Sequence, residues 1–148
     1  YLGYIEEAFL AYKTERYNIK GKDVVAGNCK YYLNDLSFKN FLYPGFAYGG
    51  GYLLENAVYL ELRRLGYIVY TGSFRDKEVD FVAMKDDRVI YLQATYMLET
   101  AQTMEREYAP LLTIGDNYEK YVVSMDEVQF PSNEGVRHIQ AWNLKEIL

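Results

Sequence analysis

The 148-residue sequence is short of several things that would settle its class quickly. It has one cysteine, Cys29, which excludes an internal disulfide framework and fits a reducing cytoplasmic setting. It has one histidine, His138, placed ahead of a predicted strand and expected at the surface or the core edge. It has no excess of positive charge: its net charge is −5, without the overall basic footprint of a free nucleic-acid binder. Any DNA contact would need a local patch such as Lys13, Arg16, Lys20, Lys22 and Lys30. No apolar run reaches membrane-spanning length and no signal peptide is visible, so no membrane partner is expected. The triple glycine at 49–51 has no Lys-Ser/Thr after it, so it is not a phosphate-cradling loop of the Walker type.

What is present is a globular composition. Half of the residues are hydrophobic, and 148 residues suffice for one domain with a real core. The 17 tyrosines each offer an apolar ring with a polar tip, suited to core edges and interfaces. The chain begins at Tyr1, in the middle of an amphipathic pattern, which reads as a fragment of a longer protein.

Leu2, Ile5, Phe9 and Tyr12 recur at helical spacing and predict a helix over 1–12. Two extended pieces follow, joined by a turn at Lys20-Gly-Lys-Asp and ending at Leu33. A helix with a basic-tipped hairpin is either the back half of a winged helix or a plain connector. Asn34-Asp35 caps a short helix over 37–41, and a loop runs through the glycines. The boundary is placed there: 1–48 as helix, hairpin and linker, 49–148 as a second unit.

Residues 52–65 give the strongest helix, with Leu54, Val58, Leu62 and Leu65 on one arc and Gly66 ending it. Strands are predicted over 68–71, 79–84 and 89–95, then a helix over 100–112 capped by Thr100. A strand over 120–124, a short strand over 139–142 and a terminal helical turn complete the chain. Trp142 is expected in the core, and so is Cys29. The order implies an α/β (α+β) fold with a central mixed sheet of about four to five strands and a helix on each face.

Three stretches carry the candidate chemistry: Gly-Tyr-Leu-Leu-Glu-Asn at 51–56, Glu-Val-Asp-Phe-Val at 78–82, and Tyr-Leu-Gln-Ala-Thr-Tyr at 91–96. Strict alternation places Glu78, Asp80, Val82 and Met84 on one face of their strand, and Tyr91, Gln93 and Thr95 on one face of the next. If the 52–65 helix packs on that face, Glu55, Asp80 and Gln93 converge. Two carboxylates and a carbonyl oxygen are hard ligands suited to Mg²⁺, which would activate water against a scissile phosphate.

This arrangement resembles the restriction-endonuclease-like (PD-(D/E)XK) nucleases. In them an acid on the third strand is followed two residues later by a lysine on the same face. Here those positions hold Gln93 and Thr95, with Lys77 and Lys85 as candidate replacements for the lysine. The plain alternatives are that Glu55 favours its helix dipole, Asp80 pairs with Arg75 or Lys77, and Gln93 bridges backbone groups.

The ordered set of Lys30-Tyr-Tyr-Leu-Asn-Asp-Leu, Leu53-Leu-Glu-Asn-Ala-Val-Tyr-Leu-Glu-Leu, the two strand motifs, Glu105-Arg-Glu, and Asp116-Asn-Tyr-Glu-Lys-Tyr-Val-Val-Ser-Met-Asp resembles a known family. It is the C-terminal domain of unknown function carried by a group of prokaryotic AAA+ (P-loop) ATPases. The resemblance implies an N-terminal ATPase module, a winged-helix part matching 1–33, and a restriction-endonuclease-like domain. ATP would bind only in the absent N-terminal module.

Glu55 and Asp80 match the family's site; Gln93 and Thr95 depart from it. The expectation is therefore an accessory domain with a catalytically degenerate nuclease fold, docking DNA or protein. The alternatives are a Mg²⁺-dependent nuclease and a structural or homo-oligomerising module.

Overall fold

The computed structural model describes residues 1–42, 44–45 and 49–148. The expected linker and the boundary at residue 48 fall partly on residues 43 and 46–48, which lie outside the described residues.

The first helix, α1 (Leu2–Glu7), is shorter than its apolar spacing predicts and buries none of its side chains. Phe9 takes φ of 54°, a left-handed turn that redirects the chain into strand β1 (Ala11–Asn18). Tyr12, which extends the helical pattern in sequence, belongs instead to β1 and packs near Tyr59 at 6.0 Å between ring centroids. Strand β2 (Asp23–Leu33) returns antiparallel to β1.

Between Thr14↔Lys30 and Arg16↔Val25, the single residue Glu15 opposes four residues of β2, 26–29. This wide bulge interrupts the exposed sheet edge, a common defence against edge-to-edge pairing. The Arg16 Nε–H closes it by donating to the Asn28 carbonyl at 3.0 Å.

After helix α2 (Ser37–Leu42), where Asp35 Oδ1 accepts from the Ser37 N–H at 2.8 Å, helix α3 (Gly50–Arg64) buries Leu54, Val58, Tyr59 and Leu62. Gly66, at φ of 88°, ends it as the sequence predicts. A meander follows: β3 (Ile68–Phe74), β4 (Lys77–Lys85) and β5 (Arg88–Ala94). Helix α4 (Ala101–Leu112) starts where Thr100 Oγ1 accepts from the Thr103 N–H at 3.1 Å. It carries the chain over to β6 (Glu119–Ser124), parallel to β5, and β7 (Val136–Gln140) is parallel to β6. A 3-10 helix over Ala141–Glu146 closes the fold.

The described strands form one mixed sheet in the order β2-β1-β3-β4-β5-β6-β7. It has seven strands rather than four or five, because β1 pairs in parallel with β3 and so adds the hairpin to the sheet. One face packs on α3 through Leu54, Val58, Leu62, Phe81, Ala83, Leu92 and Tyr121. The other packs on α4 through Val79, Val82, Tyr91, Tyr108, Leu111 and Val122. The expected helix on each face is present. Among the described residues no helix is long and apolar enough to cross a membrane.

Two further expectations are corrected. Trp142 is half-exposed on the 3-10 helix rather than in the core, and Cys29 is only partly buried.

One irregularity in β4 decides where the candidate site sits. Tyr70 pairs with Val82 and Gly72 with Val79, so Thr71 alone opposes both Asp80 and Phe81. The extra residue breaks the two-residue alternation. Val82 and Met84 therefore face α4, not the side of Glu78 and Asp80 as strict alternation predicts. The bulge lets Asp80 and Phe81 both face α3, a re-aiming that bulges often perform beside functional sites.

Candidate functional site

The acids meet around a lysine that sequence reasoning assigned elsewhere. Lys30, on edge strand β2, places its Nζ 3.0 Å from Glu55 Oε1, 2.9 Å from Glu78 Oε1 and 3.3 Å from Asp80 Oδ1. The Tyr32 hydroxyl, two residues along the same strand, donates to Glu55 Oε1 at 2.7 Å. The Tyr32 ring stacks on Tyr59 of α3 at 4.2 Å with 15° between planes. Arg16 of β1 holds the other oxygen of Glu78.

Asp80 is 8% exposed, and its second oxygen accepts from the Ala94 N–H at 3.0 Å. A carboxylate at such depth is costly unless paired, and Lys30 supplies the pairing.

The electrostatics follow. Burial is the main reason the Asp80 carboxyl is pushed up to about 7; neighbouring Glu55 adds to it, while Lys30 and the Ala94 N–H oppose it. Burial also works against the Lys30 ammonium, yet the facing Asp80, Glu55 and Glu78 raise it above the ordinary lysine value. Burial raises the Tyr32 phenol, and Glu55 beside it raises it further. Burial alone would raise Glu78, but Lys30 and Arg16 together hold it below the usual carboxylate range.

Of the predicted trio, Glu55 and Asp80 come together and Gln93 does not join them. Gln93 shares its side of β5 with Tyr91, the α4 side. Its Oε1 accepts from the Asp80 N–H at 3.2 Å, and its Nε2 donates to Glu107 Oε2 of α4, also at 3.2 Å. Glu107 is buried and held in turn by Arg106. Gln93 thus links one backbone N–H to the Glu107 carboxylate rather than bridging two backbone groups, and its carbonyl is committed there.

Thr95 is buried just beyond β5, its N–H on the Val123 carbonyl. Neither suggested replacement lysine reaches the acids: Lys85 donates to the Leu65 carbonyl over the Tyr67 ring, and Lys77 lines a groove on α4. Arg75 lies over the Phe74 ring.

These residues, as arranged, do not fit Mg²⁺. That ion demands near-octahedral oxygens at about 2.0–2.1 Å, whereas Glu55 and Asp80 close on an ammonium and the Gln93 oxygen is taken. Among the described residues, no group of three His, Cys, Asp or Glu side chains is placed to hold a metal ion.

The one histidine is also elsewhere than expected. His138 is 2% exposed, inside the core. Its Nδ1 accepts from the Phe130 N–H at 3.1 Å, so the hydrogen-bond pattern assigns the proton to Nε2, 2.8 Å from Ser124 Oγ. The Ser124 hydroxyl donates to Asp126 Oδ2 at 2.6 Å. That polarity is the reverse of what activating a serine nucleophile needs. Burial keeps the imidazole below its ordinary value, against an opposing pull from Asp126.

The chain is 36% identical over 124 residues to an uncharacterised protein of Haemophilus influenzae, a match that takes in 84% of this chain. The matched stretch spans only 30% of that protein's length. No family model matches the chain, and no solved structure matches it.

Lys30 and Tyr32 had one visible signal, their alternation in Cys29-Lys-Tyr-Tyr-Leu33. Glu78 was visible as the residue two before Asp80. Nothing local says that the hairpin's outer strand reaches α3.

Proposed function

We propose that this domain is a non-cleaving accessory domain of an AAA+ ATP-binding protein, with a restriction-endonuclease-like core and a winged-helix-like hairpin, used for docking. The observation that carries the reading is Lys30 seated among Glu55, Glu78 and Asp80. A working hydrolytic site needs its acids free for a metal ion and a water. Here they are neutralised from within. The same contacts favour a protein partner, the ATPase module of the same polypeptide first, over DNA. Two of the five basic residues counted toward a DNA patch, Arg16 and Lys30, are consumed by carboxylates.

One observation favours a second reading. Lys30 lies within reach of both Glu55 and Asp80, so it could serve as the lysine that the third strand lacks in a Mg²⁺-dependent nuclease.

Incubation with plasmid and with branched DNA in Mg²⁺ and in Mn²⁺ separates the two. The docking reading expects intact DNA with wild type and with Asp80→Ala alike. Cleavage by wild type that disappears in Asp80→Ala would establish the nuclease. A mobility shift run across a salt series tests the partner class. The protein-docking reading expects no shift even at low salt, where phosphate contacts are strongest.

A further inference from the structure

We infer that Lys30 is the resident cation of the acid pocket, and that the β1–β2 hairpin excludes divalent metal by holding that ammonium between Glu55, Glu78 and Asp80. The inference rests on the docking reading above and adds what enforces it.

Four observations carry it. First, the contacts around Lys30 are those of a counter-ion: three carboxylates from two different elements converge on one nitrogen, each within 3.3 Å. Second, the cation comes from the sheet's outermost strand, whereas the acids come from α3 and β4. The charge is therefore delivered by an element separate from the pocket it fills.

Third, the hairpin is fastened where the lysine enters. Asn56 of α3 accepts from the Leu33 N–H at 2.8 Å and donates to the Leu33 carbonyl at 2.9 Å. Tyr32 adds its ring stack and its bond to Glu55. Fourth, the seam to the rest of the sheet is short: among the described residues β1 pairs with β3 over Arg16↔Thr71, Tyr17↔Gly72 and Asn18↔Ser73, and the Ile19 N–H extends it onto the Ser73 carbonyl at 2.9 Å. The buried hydroxyl of Thr71 beside it has no hydrogen-bond partner among the described residues. Lys30 and its fasteners thus add to this short seam in holding the hairpin.

Removing the charge while keeping the apolar stem should turn the pocket into a cation site. Among the described residues only the Arg16 charge would then be left to offset the acids, and a divalent cation would be drawn to the ammonium's place. The probe is Mn²⁺ alone, titrated by calorimetry and by its paramagnetic resonance, with thermal stability followed in parallel.

The expected result is negligible Mn²⁺ binding by wild type and by Lys30→Arg, and binding tighter by roughly tenfold or more in Lys30→Met. Mn²⁺ should raise the Tm of Lys30→Met and not that of wild type, since a ligand selective for the folded state stabilises it. Lys30→Gln, which keeps hydrogen bonds to the acids, serves if Lys30→Met does not fold. Adding Asp80→Asn to either variant should abolish the gain.

Equal Mn²⁺ affinity in wild type and the uncharged variants would overturn the inference, as would a gain that survives Asp80→Asn. The two ideas fail separately. DNA cleavage by wild type, with metal affinity still rising in Lys30→Met, removes the non-cleaving reading alone. No cleavage and no gain removes this one alone.

Discussion

Asn56→Ala lowers the stability of the domain by about 3 kcal/mol, read as a fall in the urea midpoint at unchanged slope. Asn56 is fully buried and its carboxamide satisfies both the N–H and the carbonyl of Leu33. A hydrogen bond to an amide gains little net energy, because water would make it too. A buried backbone group left without its partner costs roughly 1–3 kcal/mol, and Ala at 56 strands two groups of the half-buried Leu33. The site adds a second consequence. Leu33 is the last residue of β2, and Lys30 and Tyr32 precede it on the same strand. Loosening Leu33 releases the end of the strand that carries the pocket's cation. A midpoint within error of wild type would show that the hairpin is not held at Asn56.

Gly72→Val is expected to cost about 3 kcal/mol or more, by overpacking rather than by a lost contact. Gly72 pairs with Tyr17 of β1 on one side and Val79 of β4 on the other. A Cβ built there would stand 2.8 Å from Val82 Cγ2, 3.0 Å from Ile19 Cδ1 and 3.1 Å from Val79 Cβ. Three buried side chains would have to give at once, in an interior that is already close-packed. Val79 and Val82 bracket the bulge that aims Asp80, so the same push should disturb the pocket. Thermal unfolding measures the stability, and the Ala94 amide proton reports the Asp80 bond. Gly72→Ala should show a smaller loss in the same direction. A Val variant as stable as wild type would mean that the glycine is incidental.

Much of the architecture was legible because the periodicities are clean. The α3 arc of Leu54, Val58 and Leu62, the Thr100 cap and the Gly66 stop are local signals, and the structure keeps them. What failed was non-local. Helical spacing at Leu2, Ile5, Phe9 and Tyr12 cannot announce that Phe9 turns left-handed and Tyr12 starts a strand. The parallel pairing of β1 with β3, which enlarges the sheet to seven strands, joins residues more than fifty positions apart.

The site was half legible for the same reason. Glu55 and Asp80 lie on the same side of the sheet, as the helical arc and the Glu78–Asp80 alternation ahead of the bulge imply. Gln93 was misplaced because one bulge in β4 changes which neighbours share a face. Lys30 was seen only as a surface base, because its partners lie 25 and 50 residues away.

Lys30 closes the acid pair from within. A crystal of the wild-type domain soaked in Mn²⁺, with the anomalous signal of the metal recorded, tests it most directly. Lys30 Nζ should remain within hydrogen-bonding distance of Glu55, Glu78 and Asp80, with no anomalous peak between them. A metal peak coordinated by Glu55 and Asp80, with the lysine displaced, would contradict it.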